Sequence, residues 1–278
     1  MPELPEVETV RRGLQPLLAG RRLAGVEIGD GRLTAPDDPA EVAAELRGEL
    51  VERVGRRGKY LLFELEGGRT LLVHLRMTGG FRVLAGGGRR PAHLRALLKL
   101  DDGVGVAYCD QRRFGTWRLF EPGELGPYLD RRLGPEPLSG GWASADLGRA
   151  LRGRSAPVKA ALLDQRVVAG VGNIYADEAL WEARVHPLES SGGLSRARVA
   201  RLHAAVVAAL ERGVEAQGAS IRDHRGVDGS YGSMQERFAV YGRDGLPCLR
   251  CGAPLRKIRV AQRGTHLCVR CTRAPRRR

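Results

Sequence analysis

Residues 248–271 read CLRCGAPLRKIRVAQRGTHLCVRC. Two C-x-x-C pairs, Cys248 with Cys251 and Cys268 with Cys271, are separated by 16 residues. Each pair can offer two thiolates to one tetrahedral ion, and the stretch between them can double back as a hairpin that closes the site. Four thiolates leave no open coordination position, which suits one structural zinc ion per chain. A redox pair is the competing reading of the same cysteines, but the spacing favours metal. The segment is too short and too polar to build a core of its own, so the metal is expected to supply much of its folding free energy. The hairpin would then display Arg256, Lys257, Arg259 and Arg263 on a rigid element. Cys109 lies outside the pattern and reads as a small core residue.

Charge is concentrated around this segment. From Gly245 to Arg278 there are ten Lys or Arg and no Asp or Glu, within a chain of 278 residues whose formal net charge is +14. A polyanionic partner is the simplest explanation, although a sequence this rich in arginine, alanine and glycine also carries a compositional bias. A membrane surface is the rival polyanion, but no basic amphipathic helix with an aromatic face is present. No apolar run approaches the roughly 20 residues of a membrane span. The first eight residues hold two prolines and three glutamates, unlike an export signal. The expectation is a cytoplasmic protein with reduced thiols.

Upstream, residues 5–18 read as a helix, with Pro5 suited to its first position and Leu4, Val7, Val10 and Leu14 at helical spacing. Short β-like runs follow at 22–28, 50–55, 60–66, 70–75, 80–84, 96–100, 105–109 and 116–120, as in an antiparallel sandwich or barrel. Residues 39–48 add a short helix. The stretch LGPEPLSGG (133–141) combines prolines and glycines and reads as a linker. Helices are then expected from a cap at Ser155 to about 164, from a cap at Asn173 to about 183, and over 195–217. Residues 218–234 are glycine-rich and polar and read as a mobile loop.

The opening MPELPEVETVRRGL resembles the start of the formamidopyrimidine-DNA glycosylase family. So do RRGKYLLFEL (56–65), HLRMTG (74–79), DQRRFG (110–115), LGPEPL (133–138), VVAGVGNIYADE (167–178), VYGR (240–243) and AQRGTH (261–266) with the four cysteines, in the order of that family and across the whole chain. The chemistry of the N-terminus fits. Removal of Met1 would expose the secondary amine of Pro2. An α-amino group with a pKa near 8 is about one-tenth unprotonated at pH 7, against roughly one lysine in 2,500. A neutral amine can attack the sugar C1′ and form an imine, and Glu3 beside it can move protons. Taken alone, Pro2 and Glu3 are equally a helix-start motif.

The resemblance implies an α+β protein of two domains: an N-terminal antiparallel β-sandwich with flanking helices, and a C-terminal helix–two-turns–helix domain carrying a zinc-finger β-hairpin. The implied boundaries are 1–132 for the catalytic sandwich, 133–145 for a linker, 146–234 for the helical domain and 235–278 for the zinc finger and basic tail. It implies a monomer that binds double-stranded DNA holding oxidised purines or abasic sites, in the cleft between its domains. Pro2 becomes the nucleophile, Glu3 the acid/base, Lys59 a phosphate contact that assists catalysis, and Arg263 a residue of the later elimination. Glu6 either supports the site or is an ordinary first-turn carboxylate. An enzyme acting on a base inside a duplex must flip it out and fill the gap. Phe114 would enter the stack, Met77 fill the hole and Arg112 pair with the orphaned cytosine; core packing, for the first two, and a basic surface pair with Arg113 are the alternatives. His93, Arg154 and Asn173 match phosphate contacts.

Two departures stand out. Gln111 replaces the proline usual in the family, and Gly218-Ala219-Ser220-Ile221 differs from the usual start of the loop that covers the flipped base. Two other functions remain open at this level: an endonuclease VIII-like enzyme for oxidised pyrimidines, which usually has Gly where this chain has Leu4, and a non-catalytic zinc-finger DNA-binding homologue.

Overall fold

The computed structural model describes residues 1–84, 89–221 and 225–273; Arg222–His224 of the expected mobile loop and the basic tail Arg276–Arg278 lie outside the described residues. The chain forms two compact units, Met1–Asp130 with Ala216–Ser233, and Arg131–Glu215 with the chain from Met234 onward.

The first unit opens with α1 (Leu4–Leu18) and continues through β1 (Arg21–Ile28), α2 (Pro39–Leu46), β2 (Leu50–Arg57), β3 (Tyr60–Leu65), β4 (Thr70–His74), β5 (Gly79–Leu84), β6 (Leu94–Leu100), β7 (Gly105–Asp110), β8 (Thr116–Phe120) and α3 (Leu125–Asp130). The eight strands run in the order β5-β7-β6-β1-β2-β3-β4-β8, each antiparallel to its neighbours. β1 pairs with β6 from Leu23 to Ile28 but with β2 only at Arg21 and Arg22. The sheet is therefore folded at β1 into two layers, the sandwich read from the sequence. Side chains of both layers meet in one core: Phe63 and Phe81 have ring centroids 5.7 Å apart, and Trp117 lies 5.5 Å from Tyr108. The buried stripe of α1, Val7, Val10, Leu14 and Leu18, joins that core.

The second unit contains α4 (Ser144–Leu151), α5 (Val158–Leu163), α6 (Asn173–Ala183), α7 (Arg196–Glu215) and the hairpin β9 (Arg256–Val260) and β10 (Arg263–Leu267). α6 spans the expected residues. α5 starts at Val158 with Pro157 in the cap position, two residues later than the Ser155 cap implies. The reason is tertiary: Pro157 bridges to Ser190, and the Val158 N–H donates to Glu189 O at 2.7 Å, so this segment is extended and paired instead of helical.

The unit boundaries also differ from the sequence reading. The stretch taken as a linker is packed into the second unit: the Gly134 N–H donates to Gln165 O at 2.8 Å, and a Cβ at Gly134 would stand 2.3 Å from Arg166 O. Here glycine permits close backbone approach rather than flexibility. Residues 216–233, read as part of the helical domain, pack with the first unit. Val227 is in its core against Gly13 and accepts the Val83 N–H at 3.2 Å. Ala219 and Ser233 close the base of the loop as a β-bridge.

Candidate active site and metal centre

The N-terminus of α1 is built around carboxylates. Pro2 and Glu3 are buried, and the Glu3 N–H donates to Glu6 Oε2 at 2.8 Å. That is the reaching-back half of a capping box. Glu6 has a second duty, accepting the Ala219 N–H on Oε1 at 2.8 Å. Gly218 has φ 78°, and a Cβ there would come within 2.9 Å of Glu6 Cγ. Glu6 is therefore more than a first-turn carboxylate, because it joins the N-terminal turn to the 216–233 segment.

Lys59 occupies the two-residue turn between β2 and β3, where Arg57 pairs with Tyr60. Gly58 supplies the positive φ of 56° that a tight hairpin needs at this position. Arg56 ties this turn down, donating to Gly58 O at 3.0 Å and to Glu8 Oε2 at 3.0 Å on α1. The hairpin tip thus lies alongside the first turns of α1, and Lys59 is buried, with 5% exposure. Glu8 is desolvated, yet its bonds to Arg11 and Arg56 outweigh that and hold its carboxyl below the usual range. His74, beside this group, is pushed down to about 3 by burial, with Arg76 and Lys59 adding repulsion.

Two loops at one edge of the sandwich carry Met77, Arg112 and Phe114. Phe114 is 52% exposed and Met77 36% exposed, so neither is a core residue. The Arg112 guanidinium lies 4.7 Å from the centroid of the Phe114 ring. Its neighbour Arg113 is engaged differently, bonding buried Asp30 with Nη2 to Oδ1 at 2.9 Å. The two arginines are thus not an undifferentiated basic pair. His93 is exposed in the turn before β6, with φ 60°.

In the second unit, Arg154 lies between α4 and α5, donating through Nε to Ala150 O at 2.8 Å and pairing with Asp164 at 3.3 Å. Asn173 is the first residue of α6, and Gly172 takes the cap position. Its Nδ2 donates to Gly264 O at 3.0 Å, so Asn173 braces the hairpin instead of capping the helix. Arg256, Lys257, Arg259 and Arg263 are all exposed on the hairpin, as expected. Arg263 follows a two-residue turn, Ala261-Gln262, in which both φ values are positive, 47° and 61°.

Four cysteine sulfurs lie within 4.8 Å of one another: Cys248, Cys251, Cys268 and Cys271. Cys251 and Cys268 sulfurs are 3.5 Å apart and those of Cys248 and Cys271 3.9 Å apart. Tetrahedral Zn–S bonds of about 2.3 Å require S···S separations of about 3.8 Å, so the residues fit a structural Zn2+. The chemistry such an ion supplies is a closed crosslink. The protein adds an outer layer: the Trp181 Nε1–H donates to Cys248 Sγ at 3.4 Å, and Arg250 stacks on the Trp181 ring at 4.0 Å. Apart from the cysteines, the buried apolar residues of this cluster among the described residues are Val240 and Leu255.

Several residues that shape the site were not singled out from sequence. Lys159 is fully buried, with Nζ 2.6 Å from Asp177 Oδ1, 2.7 Å from Thr265 Oγ1 and 3.1 Å from Gly264 O. Asp177 Oδ2 accepts the His266 N–H at 2.8 Å. Glu178 accepts the N–H groups of Ala239, Val240 and Tyr241 at 2.8–2.9 Å. These groups clamp the hairpin and the segment before it to α5 and α6. The available signal was two adjacent acids, Asp177 and Glu178, in a mostly apolar helix, which ordinarily reads as a solvated face.

Comparison with known proteins agrees with this geometry. The chain matches the formamidopyrimidine-DNA glycosylase N-terminal domain over residues 1–117, the H2TH domain of those enzymes over 133–225, and the zinc finger found in FPG and IleRS over 245–274. It is 49% identical to the formamidopyrimidine-DNA glycosylase of Symbiobacterium thermophilum over 276 residues, covering 99% of this chain and 90% of the relative. Against the Chloroflexus aggregans enzyme it is 45% identical, covering 98% of each. A Lactococcus lactis FPG mutant in complex with Fapy-dG-containing DNA superposes with a TM-score of 0.93 at 37% identity, covering 98% of this chain and all of that one. The Lactococcus lactis enzyme was also solved with abasic-site DNA and with oxidised-pyrimidine DNA, each at TM-score 0.91, 37% identity and the same coverage. No helix among the described residues is long and apolar enough to cross a membrane. This chain belongs to the formamidopyrimidine-DNA glycosylase family.

Proposed function

We propose that the protein is a bifunctional DNA glycosylase and abasic-site lyase of base excision repair, acting on 8-oxoguanine and formamidopyrimidines in double-stranded DNA. The observation that carries this reading is the pairing of Pro2 with Glu3 at the buried N-terminus of α1, where Glu6 holds the Glu3 backbone. Once Met1 is removed, the Pro2 nitrogen attacks C1′ and the damaged base leaves with the bonding electrons. The amine gives its one proton to the departing base, and Glu3 protonates the sugar ring oxygen as the ring opens to the cationic iminium, the Schiff base a secondary amine forms. The imine acidifies the C2′ proton, whose loss expels the 3′ phosphate. A second elimination expels the 5′ phosphate, and water releases the protein. Lys59 and Arg263 assist at the phosphates, while His93, Arg154 and Asn173 hold the strand. Phe114, Met77 and Arg112 occupy the space that the flipped nucleotide leaves.

The protein acts as a monomer on DNA in the bacterial cytoplasm. The bacterial relatives and a four-cysteine site that needs reduced thiols support the cytoplasmic placement. By function rather than by packing, the division we propose is a catalytic segment 1–132, a connecting segment 133–145, a DNA-holding segment 146–234 whose part 218–234 acts over the flipped base, and a zinc-finger segment 235–278, even though 216–233 pack with the sandwich.

The test is borohydride trapping during cleavage of a duplex with 8-oxoguanine opposite cytosine. Reduction of the imine should join protein to DNA through residue 2 and through no lysine. Trapping at Lys59, or full activity in protein that retains Met1, would exclude the N-terminal mechanism. Preference for an oxidised pyrimidine in the same assay would favour the endonuclease VIII-like reading, and binding without cleavage the non-catalytic one.

A further inference from the structure

Asp110 ends β7 and is 1% exposed. Its Oδ2 accepts the backbone N–H groups of Phe114 at 2.9 Å and Gly115 at 2.8 Å. Its Oδ1 accepts the Arg112 N–H at 3.1 Å and the Thr78 hydroxyl. The Thr78 oxygen in turn accepts the Arg112 N–H at 3.0 Å. On its backbone side, Asp110 donates its N–H to His93 O at 3.0 Å, and its carbonyl accepts from Arg95 Nε at 2.9 Å.

A carboxylate that merely closes its own loop needs only the N–H groups that follow it. The bond to Thr78 crosses to a different loop, and the bond to His93 reaches a third segment. Beneath them the Tyr108 ring fills the junction, since a Cβ would meet its hydroxyl at 2.3 Å from Gly79 and at 1.8 Å from Gly115. Both loops are therefore seated on one tyrosine and bolted by one carboxylate.

We propose that Asp110 is a positioning residue that makes Met77, Arg112, Phe114 and His93 engage DNA as a single preformed unit. This rests on the DNA-contact roles given to those four residues under the proposed function. The physical reason is preorganisation: loops already ordered in the free protein lose less conformational freedom when their side chains enter the base stack. Displacing the loops by an ångström would then slow the step that needs the wedge and spare the one that does not.

The experiment compares wild-type protein with Asp110→Asn and Thr78→Val under single turnover. The substrates are a duplex holding 8-oxoguanine opposite cytosine and the same duplex with a preformed abasic site. Both carry 2-aminopurine beside the lesion as a stacking probe, and thermal melting monitors the fold. Asp110→Asn cannot accept on both sides and should slow lesion excision about 100-fold; Thr78→Val removes the hydroxyl's bond to Asp110, while the Arg112 N–H it also accepted keeps Asp110 as acceptor, so it should slow excision about fivefold, the equivalent of one hydrogen bond. Abasic-site cleavage should change much less in both, and the 2-aminopurine rise on binding should shrink. Thr78→Val leaves the three backbone bonds to Asp110 intact, so it keeps the test decisive if Asp110→Asn fails to fold. Equal losses on both substrates, or an unchanged 2-aminopurine signal, would overturn the proposal. Wild-type protein that leaves 8-oxoguanine uncut would defeat the glycosylase reading instead; the 2-aminopurine signal on abasic duplex, which needs no chemistry, would then decide on Asp110 alone.

Discussion

Lys159 Nζ and Asp177 Oδ1 lie 2.6 Å apart, and neither side chain is exposed to solvent. The pair bridges α5 and α6, and each partner also holds the β9–β10 hairpin, Lys159 through Thr265 and Asp177 through the His266 N–H. A buried ion pair is costly to break from one side, because the remaining charge has lost its partner.

Asp177→Asn and Lys159→Met should each destabilise the protein by about 3–5 kcal/mol, read as a shift in the urea midpoint. The double variant Lys159→Met with Asp177→Leu should recover part of that loss, since no orphaned charge remains. A double variant as unstable as the sum of the singles would show that the pair is not one unit.

Purified protein should carry one zinc per chain, and Cys268→Ser should lose it together with the hairpin fold. Trp181 offers a direct readout, because its indole N–H points at Cys248 Sγ. Chelation should change its emission, and Trp181→Phe should lower zinc affinity about 10–100-fold in competition with a chromophoric chelator, the range for outer-layer partners of metal ligands. Unaltered affinity in Trp181→Phe would reduce that contact to packing.

His74 gives a pH prediction with a definite sign. Its Nδ1 accepts the Arg76 N–H at 2.9 Å, so the folded protein requires the neutral ring. The folded pKa of about 3 lies below the unfolded value of 6.5. The unfolded chain therefore takes up the proton first, and stability is lost as pH falls from 6.5 towards 3. At pH 5 the loss from this one group should approach about 2 kcal/mol. His74→Gln should flatten that part of the stability–pH curve, whatever its effect at neutral pH; an unchanged slope would contradict the assignment.

Arg154 should contribute one phosphate contact. Arg154→Ala is expected to reduce the slope of log affinity against log salt for undamaged duplex by about 0.9. The pairing with Asp164 at 3.3 Å is half exposed and easily exchanged for phosphate. A slope equal to wild type would leave Arg154 as a partner of Asp164 only.

The turn before Arg263 is under backbone strain, since Ala261 and Gln262 both have positive φ. Replacing the pair by Asn-Gly, the sequence such a turn prefers, should raise stability by about 1–2 kcal/mol. Thermal melting measures this. Unchanged melting would mean that the turn relaxes in solution.

Most of the sandwich was legible because alternation and turn chemistry are local properties. Runs such as those at 60–66 and 70–75 declare a strand from a handful of residues. The zinc site was legible for the same reason: two thiols three positions apart can reach one ion whatever surrounds them. The helix at Asn173 was expected, but not that its amide would brace Gly264, 91 positions along the chain.

By itself, then, the sequence determined the strand and helix periodicities, the four-thiolate cluster, the basic C-terminal segment and the Pro2-Glu3 pair with its family resemblance. Tertiary structure alone decided that Asp110, Lys159, Asp177 and Glu178 are buried hubs, that Glu6 reaches Ala219, and that residues 216–233 pack with the sandwich. A charged residue has the same local pattern whether it faces water or is buried against a partner. Only the partner's arrival from a distant part of the chain makes burial affordable, because a buried charge is tolerated only when its hydrogen bonds and counter-charge are in place.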